Sequence, residues 1–190
     1  MERLTEILAQ ARVVPVIRRS TPDTAEPAAR TLLDAGLPVI ELTANTPDWA
    51  ETLLRLHADY PHAVIGLGTV TSTGIAQEAL HAGAHFLVSP WPVPQVRGFA
   101  DEHGLPLCEG GFTPGEIASA ASRGIAKLFP ASTVGPAYLK SLIAVLPSGS
   151  AVMPTGGITL DSVPAWLAAG AIAVGVGSDL DRLPEVWRAL

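Results

Sequence analysis

Two residues in this chain stand where a charge is costly. Lys127, one of only two lysines, lies inside the apolar run Gly124-Ile125-Ala126-Lys127-Leu128-Phe129-Pro130, and Glu41 follows Leu37-Pro38-Val39-Ile40. Taking an ammonium out of water costs several kcal/mol unless it is paired or gives up its proton. A lysine that gives up its proton becomes a nucleophile. From a free value near ~10.4, a lowering by ~3 units costs about 4 kcal/mol, which apolar burial is able to supply. The neutral amine adds to a carbonyl carbon and forms an imine. Glu41 has two readings beside it. It either holds Lys127 as a charged partner, or it moves the protons that making and breaking an imine requires, as a carboxyl with a raised pKa does.

Elements must bring the two together. Short apolar, branched segments recur at Val13 to Ile17, Pro38 to Leu42, Ala63 to Leu67, His85 to Val88, Leu105 to Cys108, Ala126 to Phe129, Ala151 to Met153 and Ala173 to Val176. Alanine- and leucine-rich stretches of helical period separate them, such as Pro22 to Ala35 and Pro47 to Ala58. Continuously apolar strands belong to parallel sheets covered on both faces. Eight strand-helix units predict a single (β/α)8 barrel over residues 1–190, preceded by an amphipathic N-terminal helix, with an open doubly wound sheet as the alternative. Ala35-Gly36, Ala82-Gly83, Arg123-Gly124 and Ala169-Gly170 place glycine where helices end.

The segments that follow the strands are polar, and in a barrel that face carries the chemistry. Arg18 ends the first strand and has the fork geometry to clamp a carboxylate, while Arg19 is expected to face solvent. Thr69 and Thr155 end strands three and seven with a hydroxyl each, serving either the chain or a ligand. Phe129 and Pro130 stand beside Lys127, where they wall the amine from water or simply fill the core. Pro154-Thr155-Gly156-Gly157 and Gly175-Val176-Gly177-Ser178 follow strands seven and eight, where barrel loops frequently hold phosphate on backbone amides. In that context Ser178 reads as a phosphate donor and not as an attacking group. Glu109-Gly110-Gly111 reads as a loop after strand five.

At 190 residues the chain fits one domain, and its net charge of -6 argues against a nucleic-acid partner. The single Cys108 reads as a small buried hydrophobe, and the five histidines show no metal-ligand spacing, so no metal is expected. No signal peptide or membrane span stands out, and a cytoplasmic location with no membrane contact is the expectation.

From about Val13 to Arg182 the chain resembles the 2-keto-3-deoxy-6-phosphogluconate and 2-keto-3-deoxy-6-phosphogalactonate aldolases. The segments that carry the resemblance are Val39-Ile40-Glu41-Leu42, Gly66-Leu67-Gly68-Thr69-Val70, Ala126-Lys127-Leu128-Phe129-Pro130, Pro154-Thr155-Gly156-Gly157-Ile158 and Gly177-Ser178-Asp179-Leu180. The resemblance implies a class I aldolase without metal or cofactor, usually a homotrimer, that reversibly cleaves a phosphorylated keto acid to pyruvate and D-glyceraldehyde 3-phosphate. Lys127 would form the Schiff base, Glu41 would move protons, and Gly156, Gly157, Gly177 and Ser178 would receive the phosphate. Asn45 replaces the arginine that the phosphogluconate branch carries in Glu-x-Thr-x-Arg. Arg18 looks like the first-strand arginine of the phosphogalactonate branch, whereas Pro154-Thr155-Gly156-Gly157 looks like the phosphogluconate form. The chain also stops at Leu190, with little left for the last helix that family members extend. Two other functions remain compatible with the residues. One is a phosphosugar isomerase or epimerase in which Glu41 abstracts a proton and Lys127 neutralises the enolate, and the other is a sugar-phosphate-binding barrel without catalysis.

Overall fold

The computed structural model describes residues 1–190, apart from the side chain of Pro22. Helix α1 (Glu2–Ala11) leads into strand β1 (Val13–Ile17), and strand and helix then alternate: α2 (Pro22–Asp34), β2 (Val39–Thr43), α3 (Trp49–Asp59), β3 (Val64–Gly68), α4 (Thr73–His81), β4 (Leu87–Val88) and α5 (Pro94–Glu102). The second half continues with β5 (Leu107–Gly111), α6 (Pro114–Ala121), β6 (Ile125–Leu128), α7 (Gly135–Ile143), β7 (Ala151–Pro154), α8 (Val163–Ala168), β8 (Val174–Val176) and α9 (Leu183–Val186). All eight strands are parallel, in the order β7-β6-β5-β4-β3-β2-β1-β8. A parallel bridge between Thr155 and Gly175 brings the two ends of that order together. The result is the predicted (β/α)8 barrel with an N-terminal helix.

Two apolar layers follow from strands buried on both faces. The outward-facing residues, such as Ile17, Ile40, Leu42, Ile65, Leu67 and Leu128, pack under the helices. The inward set, Val14, Val39, Phe86, Val88, Cys108, Ile125, Met153 and Ala173, forms the barrel's own core together with Leu4, Leu8 and Ala11 of α1. Those α1 positions share one helical face. The N-terminal helix therefore seals the barrel floor and leaves the opposite end open for a site. Among the described residues no helix is long and apolar enough to cross a membrane.

Most strand boundaries lie within one residue of the sequence expectation, and β4 and β5 depart further, each for a physical reason. Strand β4 begins at Leu87 and not at His85, because the His85 imidazole intervenes: its Nδ1 accepts the Ile65 N–H at 3.1 Å, where a strand neighbour would offer a carbonyl. Strand β5 continues through Glu109-Gly110-Gly111, expected to be a loop. A side chain on Gly110 would meet the Pro90 backbone, and one on Gly111 would meet the Glu116 side chain at 2.8 Å. These glycines serve close packing within a strand.

Glu109 accordingly points away from the barrel axis and into the helix layer, where it is 2% exposed. It accepts from Arg97 on α5 at 3.3 Å and from Arg123, after α6, at 2.9 Å. Arg97 is itself 5% exposed. Removing one member of a buried pair leaves the other uncompensated and costs roughly 3–5 kcal/mol. Glu109→Leu is expected to destabilise the fold by about 3 kcal/mol in urea titration. A loss below about 0.5 kcal/mol, the scale of an exposed pair, would show that this cluster ties nothing together.

Candidate active site

A cavity of about 260 Å³ opens at the C-terminal ends of the strands. Its lining contains the candidate catalytic and substrate-binding residues, with Lys127 and Glu41 at the bottom, Arg18, Thr69, Phe129 and Thr155 around them, and Gly156, Gly157, Gly177 and Ser178 near the mouth, whereas Pro130 lies outside it. Val16 and Ile158 complete it as apolar wall. The topology explains the convergence. Alternate residues of a strand face the barrel axis, and Glu41 on β2 and Lys127 on β6 both occupy inward positions at their C-terminal halves.

Lys127 is 4% exposed and Glu41 fully buried. The lysine Nζ lies 4.0 Å from Glu41 Oε1, an ion-pair separation but too long for a hydrogen bond. Among the described residues neither carboxylate oxygen has a hydrogen-bond partner, and the same is true of Thr155 Oγ1. Buried polar atoms in folded proteins are nearly always paired, so three unpaired ones around a single cavity mark a place built for a ligand. Burial pushes the Glu41 carboxyl above the ordinary carboxylate range, with the charges of Lys127 and then Arg18 pulling against it. The Phe129 ring centroid lies 5.2 Å from Lys127 Nζ and closes one side of the amine.

Arg18 donates from Nη2 to Thr69 Oγ1 at 3.4 Å, so the first and third strand ends present a guanidinium and a hydroxyl together. Thr69 has φ of 62°. A β-branched residue in the left-handed region is a genuine outlier that costs of order 1–3 kcal/mol, and here the strain turns a strand end toward the cavity. Arg19 is half-buried, not solvent-exposed as expected. Its Nη1 donates to the Arg18 carbonyl at 3.0 Å and its backbone N–H to Thr46 Oγ1 at 3.2 Å, which locks the base of Arg18. Asn45 is exposed and does not line the cavity.

At the mouth, Gly156 and Gly157 have φ of 99° and 68°, a region that favours glycine. Space excludes side chains there as well. A Cβ on Gly156 would meet the Phe129 ring at 2.8 Å, and one on Gly157 would meet Ser132 Oγ. Among the described residues no backbone carbonyl takes up the N–H of Gly156, Gly157, Gly177 or Ser178. The Ser178 hydroxyl donates to the Ile158 carbonyl at 3.3 Å, tying the seventh loop to the eighth. The cluster can receive an anion on free amides. Ser132, beside Gly157, was not legible from sequence because only the fold brings the turn after β6 against the seventh loop.

Cys108 lies on the inward face of β5, and burial pushes its thiol up to about 12, with the Glu41 charge adding to the effect. It is inert core. Another cavity, of about 280 Å³, opens by α1 and is lined by Met1, Arg3, Leu4 and Ile7 with His62 and His85. It brings together neither a carboxylate nor a lysine.

Comparison with known proteins gives this geometry a lineage. The profile described as aldolase, KDPG and KHG aldolase, matches residues 4–186. The chain is 34% identical over 173 residues to the 2-dehydro-3-deoxy-6-phosphogalactonate aldolase of Escherichia coli (strain K12), covering 90% of this chain and 84% of that protein. It is 34% identical over 170 residues to the 2-dehydro-3-deoxy-phosphogluconate aldolase of Treponema pallidum (strain Nichols), covering 88% and 81%. Its structure superposes with a TM-score of 0.83, at 28% identity and over 97% and 96% of the two chains, on KDPG aldolase from Legionella pneumophila, in which pyruvate was captured at low pH as a covalent carbinolamine intermediate. With a profile match across nearly all of the barrel and a site at its C-terminal mouth, the chain belongs to the KDPG and KHG aldolase family.

Proposed function

We propose that this protein is a class I aldolase that reversibly cleaves a six-carbon 2-keto-3-deoxy-6-phospho sugar acid to pyruvate and D-glyceraldehyde 3-phosphate. The observation that carries the reading is a buried lysine 4.0 Å from a buried glutamate whose two oxygens have no hydrogen-bond partner among the described residues, on the floor of a pocket with glycine loops at its mouth. In this reading the neutral Lys127 amine attacks the C2 carbonyl, giving a carbinolamine that loses water to form the imine. Glu41 takes the proton of the C4 hydroxyl. The C3–C4 bond then breaks, its electron pair passes into the imine to give an enamine, and the aldehyde phosphate leaves. Protonation of the enamine at C3 and hydrolysis of the resulting imine release pyruvate and restore the amine.

The remaining residues divide by charge. Arg18 clamps the substrate carboxylate with Thr69 at its side, the free amides of Gly156, Gly157, Gly177 and Ser178 receive the phosphate, and Thr155 contacts the sugar chain between them. Phe129 keeps the amine dry. Assembly as a homotrimer in the cytoplasm, with no cofactor, belongs to the same reading.

The two candidate substrates differ in configuration at C4, the carbon that becomes the aldehyde. Cleavage erases that centre, so both acids give the same products and only assays on separate substrates distinguish them. Coupled assays of pyruvate release are expected to show cleavage of at least one phosphorylated epimer about 100-fold more efficiently than of its unphosphorylated counterpart, the scale of about 2.7 kcal/mol from the lost phosphate contacts. Cleavage of neither phosphorylated acid would contradict the reading and point to shorter, unphosphorylated keto acids.

A further inference from the structure

We propose that Gly68 is a positioning residue for Glu41, the empty side-chain slot on β3 in which the proton-moving carboxyl lies. The inference rests on the reading of Glu41 given above. Gly68 is the last residue of β3 and pairs with Thr43, while Glu41 pairs with Gly66 one step lower on the same two strands. A strand side chain leans along its strand, which carries Glu41 upward across its neighbour. A Cβ built on Gly68 would collide with Glu41 Oε1 and lie 2.6 Å from Glu41 Cδ and 3.0 Å from Cγ. Gly68 has no positive φ, so its backbone accepts any residue, and space alone accounts for the glycine.

The lower half of the trough supports this. Gly66 faces the same way, two residues earlier, and a Cβ there would run into the Phe86 ring. Phe86 is fully buried among the inward-facing residues. Two glycines on one face of β3 thus open two spaces, filled by an aromatic ring below and the Glu41 carboxyl above. Glu41 makes no hydrogen bond among the described residues. With no donor holding it, the shape of the slot and the charges of Lys127, 4.0 Å away, and of Arg18 are what fix the carboxyl. A methyl at position 68 would drive it out of reach of the reacting atoms.

The test is a double-variant cycle. Gly68→Ala is expected to lower turnover about 100-fold, the scale of a displacement near 1 Å, with KM nearly unchanged because Arg18 and the glycine loops are untouched. In a Glu41→Ala background, where nothing remains to be displaced, the same methyl is expected to change the residual rate less than about 3-fold, a strongly non-additive pair. Near-normal turnover of Gly68→Ala, or an equal loss in both backgrounds, would overturn the proposal. If Gly68→Ala alone does not fold, the cycle is read in thermal unfolding: the methyl must be tolerated once Glu41 is shortened, and a double variant that stays unfolded overturns the proposal. Glu41→Gln measured alone separates the two ideas. Normal activity there removes the proton-transfer reading itself, whereas lost activity beside an additive Gly68→Ala removes only the positioning role.

Discussion

Lys127→Met is expected to lower cleavage by at least about four orders of magnitude, the cost of deleting a covalent nucleophile. Methionine matches the length and apolar character of the buried stem, so the barrel should remain folded and the loss should appear in turnover. Lys127→Arg sharpens the result. Arginine keeps a positive charge but does not form an imine, because its guanidinium stays protonated. A lysine that only neutralised an enolate would leave the arginine variant with appreciable activity, as the isomerase alternative requires, whereas an imine-forming lysine leaves none. Rates on either phosphorylated acid decide between the two, and substantial retained cleavage in the arginine variant would contradict the covalent role.

Glu41→Gln is expected to lower turnover by about 10²- to 10⁴-fold, the range supplied by a positioned acid and base, and to remove the dependence of turnover on the ionisation of this carboxyl. The same variant has a stability signature. Because burial raises the carboxyl above its ordinary value of 4.5, the folded state favours the protonated form. That contribution is fully present below the ordinary value and is lost as pH rises through the higher folded value. Glutamine does not ionise, so the variant should gain stability relative to the parent as pH rises across that window. Urea midpoints of both proteins across the window check the sign. Near-normal turnover in the variant would show that another group moves the protons.

Much of the candidate site is legible in the sequence, because its residues break local rules. A lysine and a glutamate inside apolar strand segments are costly wherever the strands lie, and glycine pairs after strands seven and eight mark loops that admit an anion. Regular spacing then assigned them to one mouth. What escaped the sequence depends on neighbours distant in the chain. The Gly110-Gly111 pair reads as a turn until the Pro90 backbone and Glu116 side chain are seen filling its space. Glu109 accordingly passed for a polar loop residue, although it anchors two arginines beneath the helices. The positive φ of Thr69 and the slot at Gly68 leave no trace in composition or periodicity. Arg19 was expected in solvent because strand residues alternate, but its contacts with Thr46 and the Arg18 carbonyl hold it half-buried. Asn45, exposed and outside the cavity, leaves Arg18 as the guanidinium lining it, which favours the first-strand clamp for the carboxylate.

Covalent trapping reaches the central claim most directly. Incubating the protein with pyruvate, reducing with borohydride and mapping the added mass by peptide spectrometry should place one reduced pyruvate adduct on Lys127 and lose turnover in proportion. An adduct confined to Lys140 or the N-terminal amine, or complete absence of labelling in an otherwise active protein, would contradict an imine at Lys127.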